Sequence, residues 1–124
     1  MKKFFLLFAL LLSPVMAMAS GGGECGEVHC EHAPVDLHNK ASLQNGAKVF
    51  ISYCLGCHSA KYLRYERMAT DLEIDPKLVS QYMMFTTDKI GDGIDTKVNH
   101  KDQAKWFGNA PPDLSLETRF RSPD

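Results

Sequence analysis

Hydrophobic residues recur at intervals of three and four along one stretch of the chain: Leu43, Ala47, Phe50 and Cys54. This period places them on one face of an amphipathic helix, which we predict to begin at Ser42 as its N-cap. Gly46 lies inside this helix, where glycine costs about 1 kcal/mol relative to alanine. It therefore indicates either close packing against another helix or a point where the helix frays.

Local start and stop signals predict two further helices. Asp75-Pro76 combines a capping side chain with proline at the first helical position, and that helix should run to about Met84 or Phe85. Its predicted inner face consists of Leu78, Val79, Tyr82 and Met83. Residues 86–98 should form a loop, because Gly91, Asp92 and Gly93 interrupt any periodic pattern.

The second of these helices should begin at the cap Asn99 and end before Gly108, with Trp106 and Phe107 as buried anchors. Pro111-Pro112 then forces an extended backbone, after which Asp113 or Ser115 should open a last helix. No alternating strand pattern of any length is visible. We therefore predict an all-α fold of short helices and long loops.

The N-terminus resembles a secretory signal. Lys2 and Lys3 precede an apolar run from Phe4 to Leu12, and Ala17-Met18-Ala19 offers a cleavage site after Ala19. The run is too short to span a bilayer, which takes about 20 apolar residues. We predict a signal peptide over 1–19, a flexible segment over 20–40 and one folded domain over 41–124.

The flexible segment contains Cys25 and Cys30. Two thiols in an exported chain usually pair, so we favour a local disulfide over a metal site that would also use His29 and His32. Cleavage removes two lysines and takes the formal net charge from −1 to −3. This charge disfavours nucleic acid as a partner and suits a basic protein.

The strongest chemical signal is the segment Tyr53-Cys54-Leu55-Gly56-Cys57-His58. Two cysteines spaced by two residues, with histidine next, form the attachment signature of a c-type haem. Each thiol can add to one vinyl group, and the imidazole of His58 can bind the iron. A thioredoxin-like redox pair would require a βαβ context, and a zinc site would require two more ligands at matched spacing.

The sixth iron ligand is harder to assign. The candidates that follow the attachment segment are Met68, Met83, Met84 and His100. Met83 and Met84 lie on or beside a helix face, where methionine more often packs in a core. We therefore expect the distal ligand to be absent from this chain, so that either the site is open or the rest of the protein is missing. The open site would suit a free-standing exported haem protein that binds a gas or peroxide.

Residues 60–68 form a basic and aromatic strip that contains Lys61, Tyr62, Arg64, Tyr65 and Arg67. Such a strip could bind haem propionates, or it could be an amphipathic surface turn. Composition does not decide between these two interpretations.

Several segments in register resemble bacterial cytochrome c1 over about residues 33–121. They are Gly46–Phe50, Tyr53–Ala60, Tyr62–Tyr65, Met84–Lys89, Lys105–Gly108 and Ala110–Ser115, followed by Arg119 and Arg121. The Pro-Pro-Asp-Leu-Ser segment is the most specific of them. Compared with the family, the chain looks like an N-terminal portion, without the downstream methionine ligand or the C-terminal membrane helix.

The resemblance implies covalent haem c with iron, and a non-enzymatic electron-transfer role within ubiquinol–cytochrome c reductase. Its implied partners are cytochrome b, the Rieske iron–sulfur protein as electron donor and a cytochrome c as acceptor, at the periplasmic side of the bacterial inner membrane. By the same resemblance, Arg121 should contact a haem propionate, and Pro111 and Pro112 should pack at the haem edge. The membrane anchor would be a C-terminal helix that this chain does not contain.

Overall fold

A computed structural model describes residues 33–121 of the 124-residue chain. The elements in chain order are α1 (Lys40–Val49), a π-helix (Phe50–Cys54), β1 (Ala60–Arg64), α2 (Tyr65–Asp71), α3 (Pro76–Tyr82), β2 (Gly93–Ile94), α4 (His100–Phe107) and α5 (Glu117–Arg121). The predicted signal peptide over 1–19 and the proposed Cys25–Cys30 disulfide lie outside the described residues.

Helix α1 begins earlier than the sequence predicted. Asn39 is its N-cap, and the side chain of Asn39 accepts a hydrogen bond from the backbone N–H of Ser42. Ser42 therefore lies inside the first turn, and its assignment as the cap was wrong. A Cβ on Gly46 would meet no atom within 4 Å, so close packing, one of the two interpretations of this glycine, is not found among the described residues.

A small antiparallel sheet corrects the prediction of an all-α fold. Ala60 pairs with Ile94 and Arg64 with Gly93, with an irregularity of register between the two pairs. Gly93 allows this pairing, since a Cβ there would lie 2.5 Å from the carbonyl oxygen of Lys61. The sheet escaped sequence analysis because β2 has two residues and β1 shows no alternation of buried and exposed positions.

Helix α3 begins where its signals predict and ends early. The Asp75 side chain accepts a hydrogen bond from the Lys77 backbone N–H, and the helix ends at Tyr82 instead of Met84 or Phe85. Its predicted inner face was wrong in part. Val79 is fully buried, whereas Leu78 is 49% exposed and Tyr82 is 60% exposed.

Helix α4 has the predicted ends but a different buried face. Asn99 caps it by accepting from the Lys101 backbone N–H, and Gly108 stops it in a left-handed conformation with φ 84°. Trp106 and Phe107 were wrongly predicted as buried anchors, because they are 63% and 61% exposed. The buried residue of this helix is Gln103.

The hydrophobic core packs against the segment that contains Cys54. Its buried members are Ile51, Leu55, Tyr65, Met68, Ala69, Val79 and Ile94. Ile51 and Leu55 are four residues apart, and their burial fixes one side of the π-helical segment against α2, α3 and β2. Cys54 and Cys57 remain accessible on the segment that this core supports. Within residues 33–121, no helix has the length and apolar character that crossing a membrane requires.

Candidate haem attachment site

The two cysteines and the histidine lie on one tight turn at the end of the π-helix. The backbone N–H groups of Cys57 and His58 both donate to the carbonyl oxygen of Cys54, at 3.0 and 2.8 Å. Cys54 is half-buried, Cys57 is exposed, and both thiols are free. The turn thus presents two accessible nucleophilic sulfur atoms beside an imidazole, which is the donor set that a covalently bound haem requires.

The imidazole of His58 is oriented from the far end of the described chain. Its Nδ1 lies 2.9 Å from the backbone carbonyl oxygen of Pro112. A carbonyl oxygen can only accept, so Nδ1 must carry the hydrogen and donate it. The lone pair of Nε2 is then free for a metal, which is the arrangement by which proteins fix the tautomer of a metal-binding histidine. The residues present therefore fit haem iron.

Two downstream side chains bond the backbone carbonyls of the turn from Cys54 to His58, called the attachment turn below. Thr96 Oγ1 donates to the carbonyl oxygen of Gly56 at 3.1 Å. Gln103 Nε2 donates to the carbonyl oxygen of Cys57 at 2.8 Å. Carbonyls at the end of a helix lack partners within the helix, so these donors satisfy groups that would otherwise depend on water.

Ser59 connects the turn to two downstream segments. Its hydroxyl donates to Asp95 Oδ1 at 2.6 Å and accepts from the Thr96 backbone N–H at 3.0 Å. Its carbonyl oxygen accepts from the Leu114 backbone N–H at 2.7 Å. Ser59 is buried, and these bonds satisfy both its hydroxyl and its carbonyl. The residue after His58 is therefore fixed on both sides.

Asp113 ties the segment that follows Pro112 to β1. Its carboxylate accepts from the backbone N–H of Lys61 at 2.9 Å and from that of Ser115 at 2.8 Å. Partial burial by itself would raise the pKa of Asp113, but the hydrogen bonds from Ser115 and Lys61 and the positive charge of Lys61 outweigh it and lower the pKa. Asp113 does not cap a helix directly, since α5 begins at Glu117.

The structure brings together most of the site residues predicted from the sequence. Cys54, Cys57 and His58 share the turn, and Pro112 contacts His58 through its carbonyl oxygen. Arg121 lies on α5, where its guanidinium forms an ion pair with Glu117 Oε1 at 2.5 Å. No described contact joins Arg121 to the attachment turn. Its propionate contact, like the packing of Pro111 and Pro112 at a haem edge, stays a prediction.

The distal-ligand candidates lie in two kinds of surroundings. Met68 is 3% exposed inside the core, and Met83 and Met84 pack partly buried against it. His100 is exposed at the start of α4. Burial of the methionines supports the core role that the sequence favoured for Met83 and Met84.

For a zinc site, Cys54 and Cys57 would need further ligands at matched positions. Within residues 33–121, His, Cys, Asp and Glu form no group of three or more that could hold a metal ion.

Gln103 and Thr96 carry no signal in the sequence that predicts their contacts with the turn. A polar residue in a short amphipathic helix usually faces solvent, and threonine in a loop is common. Nothing in the local pattern marks either residue, because their partners lie 46 and 40 residues earlier in the chain. Only the folded arrangement identifies them.

Comparison with known proteins places these observations in a family. The model described as "Cytochrome C1 family" matches residues 30–123. A cytochrome c1 from Allochromatium vinosum is 51% identical over 124 residues, covering 100% of this chain and 49% of the relative. A protein named "Ammonia monooxygenase gamma subunit" from Nitrosomonas europaea is 40% identical over 120 residues, covering 97% of this chain and 49% of that protein. The chain thus spans about half the length of these relatives.

Proposed function

The chain belongs to the cytochrome c1 family, whose members carry covalently bound haem c with iron, and we propose that it is an electron-transfer subunit. Cys54 and Cys57 would hold the haem through thioether bonds, and the imidazole of His58 would bind its iron. Haem c, when bound, supplies a one-electron iron couple. The residues of this chain would attach that group and orient its ligand.

The observation that carries the proposal is the contact of 2.9 Å between His58 Nδ1 and the carbonyl oxygen of Pro112. It leaves Nε2 as the free nitrogen, on the same turn as two accessible thiols. A redox dithiol alone would not need this histidine. It would also not need a downstream carbonyl to fix the tautomer of the histidine. Pro112, in the segment that resembles the family, would thus serve to orient the His58 imidazole through its carbonyl oxygen.

The partners follow from the family and from charge. We propose that the chain works in ubiquinol–cytochrome c reductase beside cytochrome b, with the Rieske iron–sulfur protein as donor and a cytochrome c as acceptor. The net negative charge of the exported chain would favour a basic acceptor surface. The proposed location is the periplasmic side of the bacterial inner membrane, and the two predicted thioethers require export.

Two alternatives carry less support. The family does not favour a free-standing haem protein with an open distal site for a gas or peroxide. The name of the Nitrosomonas europaea relative describes a subunit of ammonia monooxygenase, and that description belongs to that protein. For this chain we propose transfer of electrons and no catalytic step of its own.

Haem staining on a denaturing gel tests the attachment. The exported wild-type chain should keep a stained band after boiling in detergent, because a thioether survives denaturation. The double variant Cys54→Ala, Cys57→Ala should lose the band. The matched control is Cys25→Ala, Cys30→Ala, which also removes two thiols and should keep it. A colourless wild-type chain in which Cys54 and Cys57 can both be alkylated would overturn the proposal.

A further inference from the structure

Gln103 occupies an unusual position for its residue type. It lies on α4 and is 1% exposed, among the most buried large side chains of the described residues. Glutamine is mostly found at the surface, and full burial of its amide costs stability unless both polar atoms find partners. The site described above uses only one of those two atoms.

The two ends of the carboxamide differ in their bonding. Nε2 donates to the carbonyl oxygen of Cys57 at 2.8 Å. Since that carbonyl can only accept, the amide cannot be turned around without placing two oxygens against each other. In the orientation that remains, Oε1 is buried with no hydrogen-bond partner among residues 33–121. An apolar side chain of similar size would avoid the unpaired Oε1, but it would leave the carbonyl oxygen of Cys57 without this donor.

The hydrogen bond that Gln103 donates goes to the peptide group directly before His58. The carbonyl of Cys57 belongs to the peptide group that joins Cys57 to His58. Fixing this group fixes the direction in which the His58 side chain leaves the backbone, while the Pro112 carbonyl fixes the other end of the same side chain. His58 is therefore held at its preceding peptide group by Gln103 and at its imidazole by the Pro112 carbonyl oxygen.

We propose that Gln103 is a positioning residue that sets the orientation of the proximal imidazole and thereby tunes the reduction potential of the haem. The proposal rests on the proposed function, because it requires haem at Cys54 and Cys57. The hydrogen bond on the second ring nitrogen of a histidine ligand sets its orientation and basicity, and for His58 that bond goes to the Pro112 carbonyl oxygen. Gln103 acts on this bond indirectly, by fixing the peptide group that precedes His58. Axial-ligand basicity is one of the quantities that set a haem potential. The unpartnered Oε1 is the cost of placing a donor at this point.

The test compares two glutamines that make the same kind of bond. Gln103→Met removes the donor and the unpaired acceptor while keeping the size of the side chain. Gln44→Met is the matched control, because Gln44 Nε2 donates to the carbonyl oxygen of Leu72 at 2.8 Å, on α1 and away from the attachment turn. Both variants are made in the exported, haem-loaded chain. The midpoint potential and the backbone amide exchange of residues 54–62 are measured.

We expect Gln103→Met to shift the midpoint potential and to speed exchange over residues 54–62 by about fivefold to tenfold, the factor of one lost hydrogen bond. Gln44→Met should leave both unchanged. An unchanged potential in haem-loaded Gln103→Met would overturn the inference, and so would an equal shift in the control. If Gln103→Met does not accumulate, Gln103→Asn keeps the amide but cannot reach Cys57, and the same comparison applies. Failure of both variants to fold would assign Gln103 to stability alone and would also overturn it.

Haem staining separates this test from that of the proposed function. An unstained wild-type chain would refute haem attachment itself. A stained chain with an unmoved potential in Gln103→Met would refute only the role of Gln103.

Discussion

Substitution of Asp113 by asparagine should loosen the segment that orients His58. The carboxylate accepts from two backbone N–H groups, those of Lys61 and Ser115, at 2.9 and 2.8 Å. Asparagine has one acceptor oxygen, so it can keep one of these bonds, and its NH₂ group would face the other donor. Because Asp113 follows Pro112 directly, the loss is transmitted to the carbonyl that contacts the imidazole.

The loss of stability in Asp113→Asn can be estimated from the type of hydrogen bond and its exposure to solvent. A hydrogen bond to a charged group contributes about 1.5–3 kcal/mol when it is shielded from solvent. Asp113 is exposed, and solvent screening reduces such contributions toward 1 kcal/mol or less. We therefore expect Asp113→Asn to cost about 1 kcal/mol, which lowers the midpoint of thermal unfolding by about 4–8 °C in a domain of this size.

The pH dependence has a definite sign. The pKa of Asp113 in the folded chain lies below its ordinary value of 3.8. The folded state thus favours the charged form, and this contribution is present above about pH 4 and is lost as the pH falls through the folded pKa. The stability difference between wild type and Asp113→Asn should stay constant from neutral pH down to about pH 5 and shrink below about pH 4.

Thermal unfolding of the haem-loaded chain, followed by circular dichroism from neutral pH downward, measures this difference. Asp88→Asn is the control, because Asp88 is an exposed carboxylate that accepts no hydrogen bond within residues 33–121. It should match wild type at each pH. Equal stability of Asp113→Asn and wild type at neutral pH would refute the assigned role of the carboxylate. A difference that persists unchanged at acidic pH would refute its origin in the charged form.

Two further substitutions test the sheet and the core by thermal unfolding. Gly93→Ala should cost about 1–3 kcal/mol, because its Cβ would meet the carbonyl oxygen of Lys61 at 2.5 Å, and an unchanged midpoint would contradict the β1–β2 pairing. Tyr65→Phe should cost about 1 kcal/mol through loss of the bond of 3.2 Å to Thr86 Oγ1. Burial raises the pKa of Tyr65 above 10.0, so wild type should lose stability as the pH rises through that raised pKa, and a matching loss in Tyr65→Phe would contradict this.

The helix ends that local signals mark could be predicted from the sequence. Asp75 and Asn99 cap their helices as predicted, and Gly108 ends α4, because each acts on backbone groups within a few residues. The attachment motif is local in the same sense, since its spacing reflects one turn of backbone. Such signals place a helix end only to within a few residues. Asn39 and Ser42 can both act as N-caps and lie three positions apart, and the structure uses Asn39.

The predictions of buried side chains were wrong where contact with a distant part of the chain determines burial. Tyr82, Trp106 and Phe107 are hydrophobic and lie on helices, yet the described residues do not cover them. Gln103 is polar and buried, because α4 meets the attachment turn on that face. Hydrophobicity gives the tendency of a side chain to be covered, while the fold determines which surface is available to cover it.

The same distinction explains why the attachment motif is not a complete site. Gly56, Cys57 and His58 bond to Thr96, Gln103 and Pro112, which are separated from them by 40, 46 and 54 residues. Each bond falls on a backbone carbonyl or on the imidazole, and none falls on a thiol. Under the proposed function, the thiols need only the local turn to react with a haem, whereas the orientation of the histidine depends on the folding of the downstream chain. Substitutions at Gln103 or Asp113 should consequently leave covalent attachment intact and change the properties of the iron ligand.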